Sequence, residues 1–179
     1  MTVARSKRRA VFLDRDGTLI EDVGFLGDPA GVVMLPTVVE ALRLFAANDY
    51  ATIVVSNQSG IARGLLDDTR VRSVNAEIGR RLRADGLEID GWYWCPHYQD
   101  DCTCRKPEPA LVHRAVKDHR LTLKGGAMVG DRGSDVALGH RVGIPGILVP
   151  GPLAYDGPEP DLRAQTLLEA AEWIVNRGG

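Results

Sequence analysis

Two aspartates stand close together after the first strand that the sequence predicts. Asp14 and Asp16 follow the apolar run Ala10–Leu13, which is typical of a buried strand, and a single residue separates them. Gly17 permits a tight backbone path, so a turn there can aim both carboxylates into the same crevice. A carboxylate placed in this way can act as a nucleophile.

Polar residues also follow two other predicted strands. Ser56 comes directly after the β-branched run Thr52–Val55, and Asp131 comes directly after Ala127–Gly130. In open α/β sheets the working residues gather beyond the carboxyl ends of the strands. An Asp-x-Asp-Gly segment alone is common in turns, but an ordered set of strand-end residues predicts an active site.

The chemistry that these residues favour is metal-assisted phosphoryl transfer. Crowded carboxylates repel one another unless a cation holds them, and hard oxygen ligands with open positions suit Mg²⁺. A free aspartate beside Mg²⁺ can attack phosphorus and form an aspartyl phosphate, while the metal neutralises phosphate oxygens. Ser56 and Lys106 are candidates for holding the transferring group.

Every cysteine of the chain lies in one short segment beside a histidine. The cluster comprises Cys95, His97, Cys102 and Cys104. Three thiolates and one imidazole match a closed tetrahedral zinc site; buried reduced cysteines are the alternative, but they prefer apolar neighbours and this segment is polar. We predict a zinc-binding loop at 95–106 whose ion is structural and carries no chemistry. Zinc would then position Arg105 and Lys106 over the phosphate.

Strands and helices alternate along the chain. The predicted strands lie at 10–13, 52–55, 89–94, 127–130 and 146–149. Helices are predicted from Pro36, from a cap at Asp68 to near Gly86, over 110–121, after a cap at Ser134, and over 161–176. The alternation predicts a doubly wound parallel sheet with helices on both faces. Segment 151–160 is predicted to be a loop, and residues 1–9 a flexible tail.

Length and composition narrow the class of protein. The 179 residues fit one domain, predicted to cover 1–179, and the hydrophobic fraction of 44 % is enough for a core. The net charge of −2 argues against nucleic acid or an anionic membrane as a partner. No apolar run approaches membrane-spanning length, and the basic start lacks the apolar stretch of a signal peptide. We expect a cytoplasmic monomer that acts on a small molecule.

The motifs resemble those of the haloacid dehalogenase superfamily of phosphatases. They are Asp14–Thr18, Ser56, Lys106 and Gly130–Asp135, in that order. The resemblance runs from about Val11 to Val149 and implies a Rossmann-like domain of the haloacid dehalogenase type. It also implies that Asp135 supports the metal site from outside and that Thr18 orders the first loop.

The same resemblance implies a role for each of the principal residues. Asp14 would be the nucleophile, and Asp16 would protonate the leaving oxygen and then activate water. Asp14, Asp131 and the backbone carbonyl of Asp16 would bind Mg²⁺. Ser56 and Lys106 would hold the phosphoryl group.

A closer resemblance, to the heptose-1,7-bisphosphate 7-phosphatase family, is carried by segments 14–18, 56–64 and 95–107. The histidinol-phosphate phosphatase domain is similar at most of the same positions. The resemblance implies a phosphorylated sugar as substrate. The implied substrate-contacting residues are Asp22, Gly24, Phe25, Ser56, Asn57, Gln58, Ser59, Arg105 and Lys106. The sequence departs from the heptose family at Phe25, where Tyr is frequent, at Ser56, where Thr is frequent, and in its short zinc loop, which is nearer to the histidinol type.

The intervals between motifs leave no room for an inserted cap domain. Between Thr18 and Thr52 there is space for one loop and one helix, and between Ser56 and Cys95 for one helix and one strand. We therefore expect an open site whose specificity comes from the loops at 21–29 and 59–66 and from the zinc loop. Arg105 could bind a second phosphate. Arg63 could do the same or be a solvated loop residue.

Three alternatives stay open. A histidinol-phosphate phosphatase would perform the same chemistry on an amino-alcohol phosphate. A nucleic-acid end phosphatase is disfavoured because the chain has no surplus of basic residues. A non-catalytic, zinc-stabilised binding module would keep the zinc site without activity, although no acid or base expected from the motifs is missing.

Overall fold

Strands and helices alternate in the computed structural model, which describes residues 7–98 and 102–178. The strands are β1 (Arg9–Leu13), β2 (Tyr50–Asn57), β3 (Gly91–Cys95), β4 (Thr122–Gly130), β5 (Gly146–Leu148) and β6 (Leu162–Arg163). The α-helices are α1 (Val38–Ala47), α2 (Asp68–Ala84), α3 (Ala110–Asp118), α4 (Gly133–Arg141) and α5 (Leu167–Gly178). A short 3₁₀ helix covers Pro29–Gly31.

The strands form one parallel sheet in the order β3-β2-β1-β4-β5-β6. Strand β1 is central, and its last residue, Leu13, pairs with Val54 of β2 and Val129 of β4. The chain therefore leaves β1 and β4 at the same edge of the sheet as the end of β2. The predicted doubly wound fold is confirmed.

The two faces of the sheet carry separate cores. Val11 and Leu13 belong to the cluster that contains the apolar faces of α1, α2 and α5. Ala10 and Phe12 point the other way, into the cluster formed with α3 and α4. Successive side chains of a strand alternate between the faces, so an apolar run buried on both sides is what a central parallel strand requires.

The predicted helix over 161–176 was wrong at its start. Leu162–Arg163 pairs with β5 as a sixth strand, and α5 begins only at Leu167. The start is set by a cap at Thr166: its hydroxyl accepts from the Glu169 N–H at 3.1 Å, and the Glu169 carboxylate accepts from the N–H of Gln165, one residue before the cap, at 2.7 Å. This Thr-x-x-Glu signal stands in the sequence five residues after the predicted start.

Two predicted caps and the predicted tail also need correction. The α2 cap is Asp67 rather than Asp68, because the extended backbone of Asp67 lets its carboxylate accept from the third N–H of the helix. The cap of α4 is Arg132 rather than Ser134, and its N–H donates to the Asp135 carboxylate. Residues 1–6 of the predicted tail lie outside the described residues, and Arg9 is already part of β1.

The segments between the motifs are short in the described part of the chain. Thr18 to Thr52 forms isolated bridges, the 3₁₀ helix, α1 and the start of β2, and Ser56 to Cys95 forms a loop, α2 and β3. No cap domain is inserted within these described segments. Among the described helices, none combines the length and apolar character needed to cross a bilayer.

Candidate active site

A cavity of about 540 Å³ opens at the carboxyl edge of the sheet, where the predicted site residues meet. Those lining it are Asp14, Asp16, Asp22, Gly24, Phe25, Ser56, Asn57, Ser59, Arg105 and Lys106. The wall also includes Arg132, Ser134, Pro152 and Leu153, which the sequence did not single out as site residues. The place of Arg132 could have been inferred from the sequence, because it directly follows Asp131. Nothing in segment 151–160 indicated that Pro152 and Leu153 would line the cavity.

Lys106 connects two of the carboxylates from beneath the cavity. Its Nζ atom lies 2.8 Å from Asp14 Oδ1 and 2.7 Å from Asp135 Oδ1, and it donates to the Val55 carbonyl at 2.7 Å. Burial alone would lower the pKa of Lys106, but the charges of Asp135 and Asp14 outweigh burial and raise it. Lys106 is therefore a fixed cation beside the Asp14 carboxylate.

Asp131 has the surroundings of a metal ligand. Neither of its buried carboxylate oxygens has a hydrogen-bond partner among the described residues. Oxygens of Asp14, Asp131 and Asp135 lie within 4.8 Å of one another. Burial, with the charges of Asp14 and Asp135, raises the pKa of Asp131 to about 7. Buried carboxylates without donors are costly unless a cation compensates them.

Gly17 and Gly151 enclose this carboxylate. A Cβ atom at either glycine would lie 2.4 Å from Asp131 Oδ2. Gly17 also has a φ of +80°, a conformation that favours glycine. Position 17 therefore needs glycine both for its turn and for the close approach of Asp131.

Asp16 is held from two sides. Gln58 Nε2 donates to Asp16 Oδ2 and to Ser56 Oγ, both at 2.8 Å, and Arg15 contacts the same carboxylate. Burial raises the pKa of Asp16, the Arg15 charge opposes this, and the Asp14 charge adds to it, with a net upward shift. Gln58, a predicted substrate contact, is buried and lies behind Asp16 and Ser56 instead of on the cavity wall.

Asn57 links β2 to the segment that carries Lys106. Its Oδ1 atom accepts from the Lys106 N–H at 2.9 Å, and its Nδ2 atom donates to the Lys106 carbonyl at 3.2 Å. These paired hydrogen bonds fix the backbone of Lys106 and therefore the direction from which its side chain enters the site.

The cysteine cluster is assembled as the sequence predicted, although residues 99–101 of the loop lie outside the described residues. Cys95 Sγ lies 3.1 Å from Cys104 Sγ and 3.6 Å from Cys102 Sγ, and His97 Nδ1 lies 3.2 Å from Cys104 Sγ. Ligands about 2.3 Å from one zinc ion stand about 3.7 Å apart, so the donor set has the dimensions of a tetrahedral zinc site. The cysteines are free thiols.

Two arginines and two aromatic rings make up the rim: Phe25 and Arg105 line the cavity itself, and Arg63 and Tyr98 lie next to them. The Arg63 guanidinium lies 3.9 Å from the centre of the Tyr98 ring and 5.6 Å from that of Phe25. Arg105 lies 5.9 Å from the same Tyr98 ring and donates to the His97 carbonyl at 3.2 Å. Tyr98, which the sequence did not single out, lies near both arginines.

Arg132 forms the opposite wall. Its Nη2 atom lies 2.5 Å from Asp22 Oδ2, and its Nε atom lies 3.5 Å from Asp131 Oδ2. Asp22 Oδ1 accepts from the Gly24 N–H at 2.9 Å, which orders the loop that carries Phe25. The cavity thus has carboxylates at its base and cations around them, an arrangement suited to a phosphate ester and a divalent cation.

Comparison with known proteins agrees with this geometry. The chain is 35 % identical over 144 residues to the D-glycero-beta-D-manno-heptose-1,7-bisphosphate 7-phosphatase of Pasteurella multocida, covering 76 % of this chain and 78 % of the relative. It is 31 % identical over 139 residues to a probable D-glycero-D-manno-heptose-1,7-bisphosphate 7-phosphatase of Thermoplasma volcanium. That match covers 76 % of this chain and 95 % of the relative.

A solved structure and a family model agree with these relatives. The D,D-heptose 1,7-bisphosphate phosphatase of B. bronchiseptica, complexed with magnesium and phosphate, superposes with a TM-score of 0.82 at 29 % identity, over 94 % of this chain and 98 % of that one. The HAD-hydrolase-like family model matches residues 103–169. The chain therefore belongs to the haloacid dehalogenase superfamily of phosphatases and, within it, to the family of the heptose-1,7-bisphosphate 7-phosphatases.

Proposed function

We propose that this chain hydrolyses the 7-phosphate ester of D-glycero-D-manno-heptose 1,7-bisphosphate, releasing inorganic phosphate and the heptose 1-phosphate. One observation carries the proposal. A single cavity holds the Asp14 carboxylate with Lys106 Nζ at 2.8 Å from it, and it places Arg105 and Arg132 on the surrounding wall. A nucleophile, a fixed cation beside it and further cationic side chains on the wall suit the hydrolysis of a sugar bisphosphate.

In the first step, an Asp14 oxygen attacks phosphorus and the bond from phosphorus to the sugar oxygen breaks. Asp16 donates its proton to that oxygen as it leaves. Lys106 holds Asp14 Oδ1 at 2.8 Å, and the Arg15 backbone N–H donates to the same atom at 2.7 Å. With Oδ1 held by two donors, we assign the attack to Oδ2. The step leaves a phosphoryl group on Asp14.

In the second step, the deprotonated Asp16 takes a proton from water, and the water oxygen attacks phosphorus. The bond from phosphorus to the Asp14 oxygen breaks, which releases phosphate and restores both aspartates. Ser56 is placed to donate to a phosphoryl oxygen, because Gln58 Nε2 already donates to its Oγ atom at 2.8 Å and orients the hydroxyl proton away from Gln58.

The carboxylate cluster fits Mg²⁺. Asp14 and Asp131 would hold it with their side chains and Asp16 with its backbone carbonyl, and Asp135 supports the site through Lys106 at 2.7 Å. The unpartnered oxygens of Asp131 are the observation that favours a cation here. When bound, Mg²⁺ neutralises charge on the phosphate oxygens.

The two rim arginines are proposed to bind the phosphate that is not hydrolysed. The Arg63 guanidinium stacks on Tyr98 at 3.9 Å, and a stacked guanidinium keeps its N–H groups in its own plane, free to meet an anion. Among the described residues, the Arg63 side chain has no carboxylate partner within ion-pair distance. Arg105 lies on the cavity wall itself.

Substrate kinetics on one purified sample test the function. Relatives named for the beta and for the alpha anomer both match this chain, so both anomers of the heptose bisphosphate are compared with histidinol phosphate. We expect one of the bisphosphate anomers to have the highest kcat/KM. A clear preference for histidinol phosphate would overturn the substrate, and bound metal without activity on any phosphate ester would indicate a binding module.

Removing the outer rim arginine is expected to affect the bisphosphate selectively. Arg63→Ala should raise KM for the bisphosphate by about 10-fold, because an anion then loses a charge-assisted hydrogen bond. The KM for the heptose 7-phosphate, which lacks the second phosphate, should not change. Arg177→Ala is the matched control, since Arg177 also stacks on an aromatic ring, Trp173 at 4.9 Å, but lies on α5 and lines a different cavity. Equal effects of Arg63→Ala on both substrates would contradict this role.

We further propose that the cysteine cluster binds one structural zinc ion per chain. Cys102→Ser should lose the zinc, unfold at a lower temperature, and lose about 10-fold or more in kcat/KM because Lys106 is displaced. Zinc is measured by elemental analysis of the purified protein. Thr103→Ser, an exposed substitution between two ligands, is the control and should keep zinc and activity. A fully active Cys102→Ser protein with normal stability would exclude this role for the loop.

A further inference from the structure

Arg15 is an arginine with almost no exposure to solvent. Its side chain is 1 % exposed, although it lies between the two aspartates of the site. Its Nε atom lies 3.2 Å from Asp16 Oδ1 and 3.1 Å from Asp16 Oδ2, and its Nη2 atom lies 3.0 Å and 2.9 Å from the same two oxygens. The guanidinium therefore grips the Asp16 carboxylate as a fork on both oxygens.

The third nitrogen of the guanidinium is bound by α2. Arg15 Nη1 donates to Asn75 Oδ1 at 3.1 Å. Asn75 is 7 % exposed and lies on the buried face of α2, next to Val71, Val74 and Ile78. A polar side chain on such a face is costly unless it is hydrogen-bonded. The bond to Arg15 accounts for an asparagine at this core-facing position.

Asn75 itself does not touch the active-site cavity. It lines a separate cavity of about 610 Å³, between α2 and β3, and is not among the residues that line the cavity around Asp14. Its connection to the chemistry runs through Arg15 to Asp16.

We propose that Asn75 and Arg15 are positioning residues that fix the direction in which Asp16 presents its carboxyl group to the leaving oxygen. The inference rests on the proposed role of Asp16 as proton donor. Gln58 holds Oδ2 at 2.8 Å from the β2 side, and Arg15 holds both oxygens from the α2 side. With both supports in place, one orientation of the carboxyl group is selected.

Gln58, Arg15 and Asn75 restrain the Asp16 carboxyl group in different ways. Gln58 alone leaves the carboxyl group free to turn about the Cβ–Cγ bond, because it contacts a single oxygen. The Arg15 guanidinium contacts both oxygens and so fixes the plane of the carboxyl group. The hydrogen bond from Arg15 to Asn75 fixes the orientation of the guanidinium itself. Lysine could not replace Arg15, since an ammonium group cannot hold two oxygens and the amide of Asn75 in one plane. A misplacement of the carboxyl group by about 1 Å is enough to slow proton transfer by up to about 10²-fold.

Substrates whose leaving groups differ in basicity can distinguish a misplaced Asp16 carboxyl group from a general loss of structure. A sugar or other alkyl oxygen needs a proton as it leaves, whereas p-nitrophenolate leaves without one. A change that only disturbs Asp16 should slow the first turnover of an alkyl phosphate and spare that of p-nitrophenyl phosphate. A change that loosens the fold should slow both.

The test uses the full chain with Mg²⁺ and measures first-turnover rates for both phosphates. Asn75→Leu, which keeps the branching of the side chain at Cγ but removes the acceptor, should slow the alkyl phosphate by about 10- to 100-fold and p-nitrophenyl phosphate by less than about threefold. Asn75→Asp keeps the acceptor oxygen and should restore the alkyl phosphate to within about threefold of the wild type. If Asn75→Leu does not fold, Arg15→Lys provides the same comparison and should show the same selective loss.

The outcomes distinguish this inference from the proposed function. If Asn75→Leu slows both substrates equally, or if Asn75→Asp does not restore the rate, the positioning role is overturned. The proposed phosphatase function would still stand in that case, provided that the wild-type protein is active. A wild-type protein without phosphatase activity would overturn both. A selective loss with rescue supports the inference.

Discussion

Asp14→Asn is expected to abolish phosphate release, with kcat reduced by about 10³-fold or more. An amide oxygen is a poor nucleophile, and the variant also replaces a carboxylate that faces Asp131 and Asp135. The fold should be retained, because Lys106 keeps Asp135 at 2.7 Å and the substitution removes one of three mutually repelling charges. The measurement is kcat on the heptose bisphosphate together with the thermal unfolding temperature.

A second aspartate provides the control. Asp67→Asn leaves α2 capped, since asparagine accepts the same hydrogen bond from the Arg70 N–H, and it lies away from the cavity. It should keep wild-type kcat. Asp14→Asn with normal turnover would remove Asp14 from the chemistry.

Asp16→Asn is expected to show the next largest effect, and one that depends on the leaving group. An amide cannot donate the proton that a sugar oxygen needs, so the first turnover of the heptose bisphosphate should slow by about 10²- to 10⁴-fold. The first turnover of p-nitrophenyl phosphate should stay much closer to the wild-type rate. Because Asp16 also activates water in the second step, the variant should then stall with the phosphoryl group on Asp14.

Rapid mixing separates these steps. Asp16→Asn should release a burst of p-nitrophenolate of about one equivalent per site, followed by a slow steady state, as expected when the second step is blocked. Slowing of both substrates to the same extent by Asp16→Asn would contradict its role as proton donor.

The meeting of Asp14, Ser56 and Asp131 was predictable because it follows from the parallel topology. Each lies at the carboxyl end of one of three adjacent strands, and β1 lies between β2 and β4 in the sheet. The cluster of three cysteines and one histidine was predictable from donor types alone.

The surroundings of Asp16 were not predictable in the same way. Arg15 and Asp16 are neighbours in the chain, and the side chains of neighbours meet only when a particular turn brings them together. The partner of Arg15, Asn75, is 60 residues away in sequence on a helix whose pattern indicated only an apolar face. The Tyr98 stack with Arg63 likewise depends on how the segment that begins at Cys95 folds.

The start of α5 shows a different kind of error. The sequence predicts a helix from Asp161, although the apolar residues of that helix begin at Leu167 and the local capping signal lies at Thr166 and Glu169. The residues before that cap pair with β5 instead. Capping chemistry was more informative here than periodicity, because a two-residue strand leaves almost no alternating pattern.

The most direct test of the central claim is to find the covalent intermediate. Asp16→Asn protein is mixed with substrate and Mg²⁺, quenched in acid within the first turnovers, digested, and analysed by mass spectrometry. The predicted result is one phosphoryl group on the peptide that contains Asp14, absent when Asp14 is also changed to Asn. Phosphate release from substrate with no phosphorylated Asp14 peptide, and with inversion of configuration at phosphorus, would contradict the proposed mechanism.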